Sequence, residues 1–560
     1  MKYLKTVQVS LVSLCATGLL TACGGGGGGE ATSTDDGNVS LTGSVFAAPV
    51  RSARVTISDC NGNAVTAGVT TNVDGSYTFN IPPSSLNQDL CIESDGGTFD
   101  DEATGTQGRT AGRLSAFIPG GSFASSANVH LTPGSTIVYD LVTQHSKSYA
   151  DANTLFTDAF GYTPDVTQTL TDATNPNSTD EASRLAGLRA ALFSQLNMDM
   201  GLLASQQFSM LAALARDLSD DVLDGQDAGG QVIVSGTATD LPADILNRYS
   251  MAMYNFRIGG NDNTGLSNDK LGSIPFARLA MTTSYKVEYI ADNMMETEGK
   301  TNFILNISDH DGNAVPDLNI SLMPMMYMNG MEHSTPAADV INNADGSYDA
   351  TVYYLMASSM MNGMSMGYWK LDIMIGDMGG ETATFYPDIM MAMGDSVKAT
   401  LKGSQLDMIG NVEMGGMDMD GMTMFPENRS YYIFKEELMP MTAAEITTYT
   451  LKFFIAANEN MMSYKPVFEG VRLSDGTPDV LDILSATVEI SADKGVTWHA
   501  GVDNSNGLWT VMGLPLIADM QSELQVRLTI NGEIKTTDGT ADGDDALMLL
   551  TPGSMPMTMP

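Results

Sequence analysis

Positive charge is scarce in this chain of 560 residues, where 27 lysines and arginines stand against 67 aspartates and glutamates. Nucleic-acid binding needs a basic footprint that displaces counterions from phosphates, so the deficit excludes nucleic acid as a partner class. Histidine is rarer still, at 130, 145, 310, 333 and 499, and cysteine occurs only at 15, 23, 60 and 91. Scattered in this way, they form no HExxH motif and no Cys/His zinc spacing. The chain also lacks a nucleophile elbow and a phosphate loop, and its acidic stretch 538–545 lacks EF-hand spacing. With no catalytic set in view, the reading is not an enzyme. No apolar run reaches the length of a transmembrane helix.

The longest apolar run, 7–20, follows Lys2 and Lys5, and together these read as a signal peptide. It ends in Leu20-Thr21-Ala22-Cys23, which resembles the lipobox of bacterial lipoproteins. The resemblance implies a signal peptide over 1–22, cleavage before Cys23, and fatty acyl chains such as palmitate on that residue. Several chains together hold a protein on a membrane where one would not. The glycines at 24–29 begin a flexible tether over 23–38. Gly24 in place of Asp implies, by the same resemblance, an outer-membrane lipoprotein facing the periplasm or the cell surface. Losing Lys2 and Lys5 leaves 25 basic against 67 acidic side chains, a net formal charge of −42 that serves solubility. Cys15 leaves with the leader, so Cys60 and Cys91 remain, and an oxidising compartment is expected to pair them.

The mature chain predicts a mainly β, multidomain protein of immunoglobulin- or transthyretin-like sandwiches with an inserted helical segment. Residues 39–130 alternate apolar and polar positions between Asp/Asn/Gly turns, the mark of half-buried strands. Gly62-Asn63-Ala64-Val65 and Asp74-Gly75-Ser76-Tyr77 in this stretch resemble the carboxypeptidase regulatory-like family, whose modules are non-catalytic sandwiches. Over 131–260 the apolar period becomes helical, with helices expected over 136–145, 149–160, 180–224 and 242–256. A second sandwich is expected over 283–378, where Gly312-Asn313-Ala314-Val315 and Asp345-Gly346-Ser347-Tyr348 repeat both landmarks of the first. A Met/Gly-rich segment over 379–445, a C-terminal β domain over 446–548 and a disordered tail over 549–560 complete the expected order. Ser491-Ala-Asp493-Lys-Gly495-Val-Thr497-Trp498 fits the Asp-box pattern, read here as a structural hairpin.

Methionine is abundant: forty copies, 21 of them between Met323 and Met424. The densest run is Met323-Pro324-Met325-Met326-Tyr327-Met328-Asn329-Gly330-Met331-Glu332-His333. A second run holds Met356, Met360, Met361, Met364 and Met366, and a third, over 414–424, alternates with Gly and Asp. A thioether is soft and uncharged, so it ligates Cu(I) while leaving harder ions to oxygen and nitrogen donors. In a strand Met326 and Met328 share one face and Met325 takes the other, and a bend at Gly330 brings Met331 and His333 back towards either set. Methionine also fills irregular cores and absorbs oxidants as sulfoxide. Core packing is the expectation for Met374 and the methionines of 390–393.

Residues 283–377 resemble the YtkA-like/FixH-like group of exported immunoglobulin-like domains, through Met323-Pro324-Met325-Met326, His333, Gly346-Ser347-Tyr348, Met356 and Gly367-Tyr368-Trp369. That group is associated with periplasmic copper handling, so the resemblance implies copper ligands from Met323, Met326, His333 and Met356, and copper proteins of the periplasm as partners. The wider candidate set is Met323, Met325, Met326, Met328, Met331, His333 and Met356. The competing expectation is a cell-surface structural or adhesion lipoprotein whose methionines are filler.

Replacing Cys23 with Ala is expected to abolish incorporation of labelled palmitate and release the protein from the membrane pellet. Unchanged labelling would refute the lipobox assignment.

Overall fold

The computed structural model describes residues 37–553, apart from 124, 272–274, 293–294, 330, 361–363, 378, 405–406, 410–426, 444–445, 461 and 475–479. Cys23, the signal peptide, nearly all of the tether, the third methionine run and residues 554–560 lie outside the described residues, whereas Leu549 and Leu550, expected in a disordered tail, end the paired strand Ala546–Leu550. The described chain is mainly β and multidomain, with sandwich-like sheets and five α-helices. Among the described residues no helix is long and apolar enough to cross a membrane.

Alternation builds the first sandwich. In strand Ser76–Ile81 the side chains of Tyr77, Phe79 and Ile81 are buried while those between them are not. That strand pairs antiparallel with Val39–Ser44, and strands Arg54–Ser58 and Leu90–Asp95 lead the opposing sheet. Tyr77 donates from its hydroxyl to the Val129 carbonyl at 2.6 Å, which satisfies a buried phenol. Gly75, at φ +77°, lies so close to the Val45 carbonyl that a Cβ there would sit 2.7 Å from the oxygen. Cys60 and Cys91 form a disulfide across this sheet, with Cα atoms 5.0 Å apart.

The helices dock on that sandwich and share its core, which runs from Leu41 through Ile137, Phe156, Leu192 and Phe193 to Leu271. Each of the first three begins where a side chain caps its free amides: Thr132 before Pro133–Thr143, Ser148 before Tyr149–Phe160, and Asp180 before Glu181–Asp199. The periodic stretch over 180–224, read as part of a helical hairpin or small bundle, folds as two helices. Gly201, at φ +72°, follows Glu181–Asp199, and the chain restarts as Gln207–Asp217. Arg113 ties sandwich to helix with two bonds of 2.6 and 2.7 Å to the Asp140 carboxylate.

The second sandwich faces a five-stranded sheet, in which Gly299–Ser308 and Ser347–Tyr354 pair, against a four-stranded sheet in the order Met331–Ser334, Ile320–Met328, Tyr368–Ile375, Glu381–Phe385. Its core centres on Trp369, Leu371, Tyr289 and Phe303. The repeated landmarks fold alike. The Asp59 and Asp309 carboxylates each accept from two amides of their own turn, and Val65 and Val315 each return an amide to the preceding strand. The last strand, Glu381–Phe385, carries this sandwich past the boundary expected at 378.

The largest sheet has ten strands and its own core, including Tyr431, Ile433, Phe453, Ile455, Trp509 and Val526. It takes in Lys398–Lys402 and Ser430–Ala443, so residues read as a separate Met/Gly-rich segment contribute strands to the C-terminal domain. The Asp-box residues form a hairpin turn: Asp493 accepts from the Thr497 amide at 2.7 Å, and Trp498 Nε1 donates to the Gly495 carbonyl at 3.0 Å.

Converting both Cys60 and Cys91 to Ser is expected to cost about 3 kcal/mol by the chain-entropy estimate for a loop of this size. Urea unfolding should show the midpoint fall, with a slope that rises because the uncrosslinked unfolded chain exposes more surface; an unchanged midpoint would mean the bond adds no stability.

Candidate metal centre

Strand Ile320–Met328 pairs with Met331–Ser334 in the register Met326↔His333 and Met328↔Met331. Partners directly opposite share a face, so Met326, Met328, Met331 and His333 all lie on one side of the sheet. That side is the inner one: Met326 is fully buried in the sandwich core and Met328 packs against it. Met323 and Met325 occupy the outer face, together with Tyr327. There Tyr327 stacks on Tyr368 and its hydroxyl meets that of Tyr254, on helix Ile245–Ile258, at 3.0 Å. Met325 is buried on that face and Met323 is 46% exposed. These two therefore stand apart from the inner donors, although the sequence grouped Met323 with them.

Met356 arrives from the opposite sheet, just beyond the end of Ser347–Tyr354. Its sulfur lies 3.3 Å from His333 Nε2. Two clamps hold this approach. Thr335 Oγ1 donates to the Tyr353 carbonyl and accepts from the Leu355 amide at 3.1 Å, which pins the chain after His333 to the chain before Met356. Trp369 Nε1 donates to the Met356 carbonyl at 3.1 Å. Gly367 admits the thiomethyl group of Met326, which a Cβ at that position would meet at 3.0 Å. Met366 also packs against this core, whereas Met331 is 49% exposed at the rim.

The tautomer of His333 follows from its partners. Nδ1 lies 2.8 Å from the Ser334 carbonyl, which can only accept, so Nδ1 carries the hydrogen. In the neutral ring Nε2 then presents a lone pair, and it presents it to the sulfur of Met356. Burial pushes the imidazole pKa below its ordinary value, outweighing the opposite pull of the Ser334 carbonyl, so the ring is neutral near pH 7. Two soft acceptors thus face each other with no proton between them. Zinc-like bonds of about 2.0 Å to nitrogen and about 2.3 Å to sulfur would span this separation at an angle of about 100°. The donor set suits a soft, weakly hydrated cation.

Among the described residues no three His, Cys, Asp or Glu side chains gather as a metal site would require. The other histidines stand elsewhere: His130 bonds to Ser44 Oγ at 2.8 Å and His310 to the Thr283 carbonyl at 3.0 Å. Met374, Met390 and Met393, expected in the core, are exposed. Met374 sits between the buried Ile373 and Ile375, so alternation turns it outward. Sequence reasoning did not single out Trp369 as part of the site; its place two residues after Gly367 on a strand paired with the methionine strand was the available signal.

No family model matches the chain, and no curated protein matches it. Among solved structures it is similar to the Yersinia pseudotuberculosis adhesin InvE at 14% identity and TM-score 0.14, over 49% of this chain and 64% of the adhesin chain. It is also similar to a chimeric titin Z1Z2 functionalized with a KLER exogenous peptide from decorin, at 10% identity and TM-score 0.11, over 50% of this chain and 98% of that one.

Because the folded pKa of His333 lies below its unfolded value, the unfolded chain takes up the extra proton. The stability from this group is full above the unfolded value of about 6.5 and falls as pH drops below it. Nitrogen-detected NMR of the metal-free protein should show the Nδ1–H tautomer with a titration midpoint below that value. A normal or raised midpoint would contradict the buried, neutral ring.

Proposed function

We propose that this chain is a non-enzymatic, lipid-anchored extracytoplasmic protein that binds Cu(I), for capture, storage or delivery of copper to copper proteins of the periplasm. The observation that carries the reading is the approach of His333 Nε2 to the Met356 sulfur at 3.3 Å, with Nδ1 bonded to the Ser334 carbonyl. Met326 is the third donor of choice, since it shares the inner face with His333 and its thiomethyl group reaches the same loop. His333 and Met356 would hold the ion, His333 oriented by its bond to the Ser334 carbonyl. The bound ion would supply only its own exchangeable charge; no reaction is assigned to it.

Neutrality of the donors supports this assignment over harder ions. Imidazole and thioether bring no negative charge, so Ca(II) and Mg(II), which are bound through carboxylate and carbonyl oxygens, gain nothing here. Met331, Met360 and Met364 are exposed, and as weak soft ligands they would let Cu(I) enter and leave without a free aquo ion.

A Cu(I) competition titration tests the reading. It needs the whole mature chain, because a fragment ending at 445 would cut strands Ser430–Ala443 and Ile446–Asn460 apart. His333→Ala and Met356→Ala are each expected to weaken binding by on the order of 100-fold, judged against the losses seen when metal-site groups are removed. Met323→Ala should leave it close to wild type. Equal, weak binding by all four proteins would refute the copper reading and favour the surface-scaffold one.

A further inference from the structure

Trp369 lies where the two donor side chains meet. Its ring makes an edge-to-face contact with the His333 imidazole, with centroids 5.6 Å apart and planes at 88°. Its Nε1 holds the backbone of Met356 at 3.1 Å. Its strand register sets it opposite Met326. The ring is fully buried, and Tyr354 packs on it edge to face at 4.9 Å, which fixes its orientation. The one indole thus borders His333, Met356 and Met326 together.

The indole touches the ring of one donor and the backbone of the other, so an ion between Nε2 and the Met356 sulfur would lie near it. A π face attracts a cation within about 6 Å of its centroid, and the attraction strengthens when water is excluded. It cannot, however, act as a fifth or sixth σ donor. Cu(II) prefers a tetragonal set of nitrogen and oxygen ligands, whereas soft thioethers select Cu(I). Aromatic carbon beside the donor pair, in place of a water ligand, would therefore separate the two oxidation states.

Resting on the copper reading above, we propose that Trp369 is the specificity-determining residue of the site. Its indole contacts Cu(I) held by His333 and Met356 and excludes the water or oxygen ligands that Cu(II) needs. The site then holds copper reduced and protected from air.

The test compares mature wild-type protein with Trp369→Leu and Trp369→Phe, folding of each being checked by thermal melting and circular dichroism. Copper(I) competition gives affinity, and the growth of the Cu(II) electron paramagnetic resonance signal in air gives the oxidation rate of the bound ion. Trp369→Leu should bind Cu(I) about tenfold more weakly, the size of a desolvated cation–π contact, and its bound ion should oxidise several-fold faster. Trp369→Phe, which keeps a smaller aromatic face, should fall between. In the wild type Cu(I) should quench part of the tryptophan emission, and that part should vanish with Trp369, since the other two tryptophans, Trp498 and Trp509, lie in the C-terminal domain. Wild-type affinity and air stability in folded Trp369→Leu, with binding still lost in His333→Ala, would overturn this inference and leave the copper reading standing. If Trp369→Leu does not fold, the Phe variant and the wild-type quenching decide, and absence of both effects overturns it. No Cu(I) binding by the wild type would overturn both.

Discussion

A residue in a paired strand has no choice of face, and this constraint arranges nearly everything about the methionine-rich region. Once Ile320–Met328 is paired on both sides, with Tyr368–Ile375 and Met331–Ser334, each of its methionines is committed either to the sandwich core or to the surface that meets the helices. A shift of one residue would exchange the two sets. The burial of Met326 and Trp369 on one face with the packing of Tyr327 and Tyr368 on the other makes a slip from the register Met326↔His333 costly on both sides. The chemistry at His333 is therefore a consequence of sheet packing.

The two sandwiches reuse one turn for different ends. In both, an aspartate caps its own turn through amide bonds, and a tyrosine after Asp-Gly-Ser sends its hydroxyl to a backbone carbonyl, Tyr77 to Val129 and Tyr348 to Val315. In the first, Cys60 follows the capping Asp59 and staples the sheet; in the second the same place holds His310, bonded to a neighbouring carbonyl. The second sandwich has no disulfide, and its two sheets are held near the site by Thr335 and by the indole of Trp369. Those bonds cross between sheets at the point where His333 and Met356 must meet, so the supports of the fold and of the donor pair are the same atoms.

What was legible in the sequence was local. The Gly-Asn-Ala-Val and Asp-Gly-Ser-Tyr landmarks announce themselves because turn chemistry is decided within five residues, and the period-two alternation of 76–81 shows a half-buried strand without any partner in view. Long-range pairing was not legible. Composition marked 379–445 as a separate unit, yet the alternation of Tyr431 and Ile433 belongs to a sheet whose last strand lies more than a hundred residues on. The site divides in the same way. Met326, Met328 and His333 can be grouped from strand periodicity, and the same periodicity turns Met323 to the opposite face, but the approach of Met356 depends on two sheets meeting.

Methionine can be both core and ligand because burying it costs nothing when the metal is absent. A site built from carboxylates or thiolates leaves uncompensated charge in a low-dielectric interior once emptied, and must then take up protons or open. Met326 and Met356 leave only weak acceptors, and Met326 fills core volume as well as any aliphatic side chain of its length. His333 adds the one strong donor, and burial keeps it neutral and available. On the copper reading proposed above, the sandwich would keep the same packing with and without the ion. The price is affinity, since a neutral donor attracts a cation less than a charged one does, and an aromatic wall against the ion is one of the few ways to recover part of it without burying a charge.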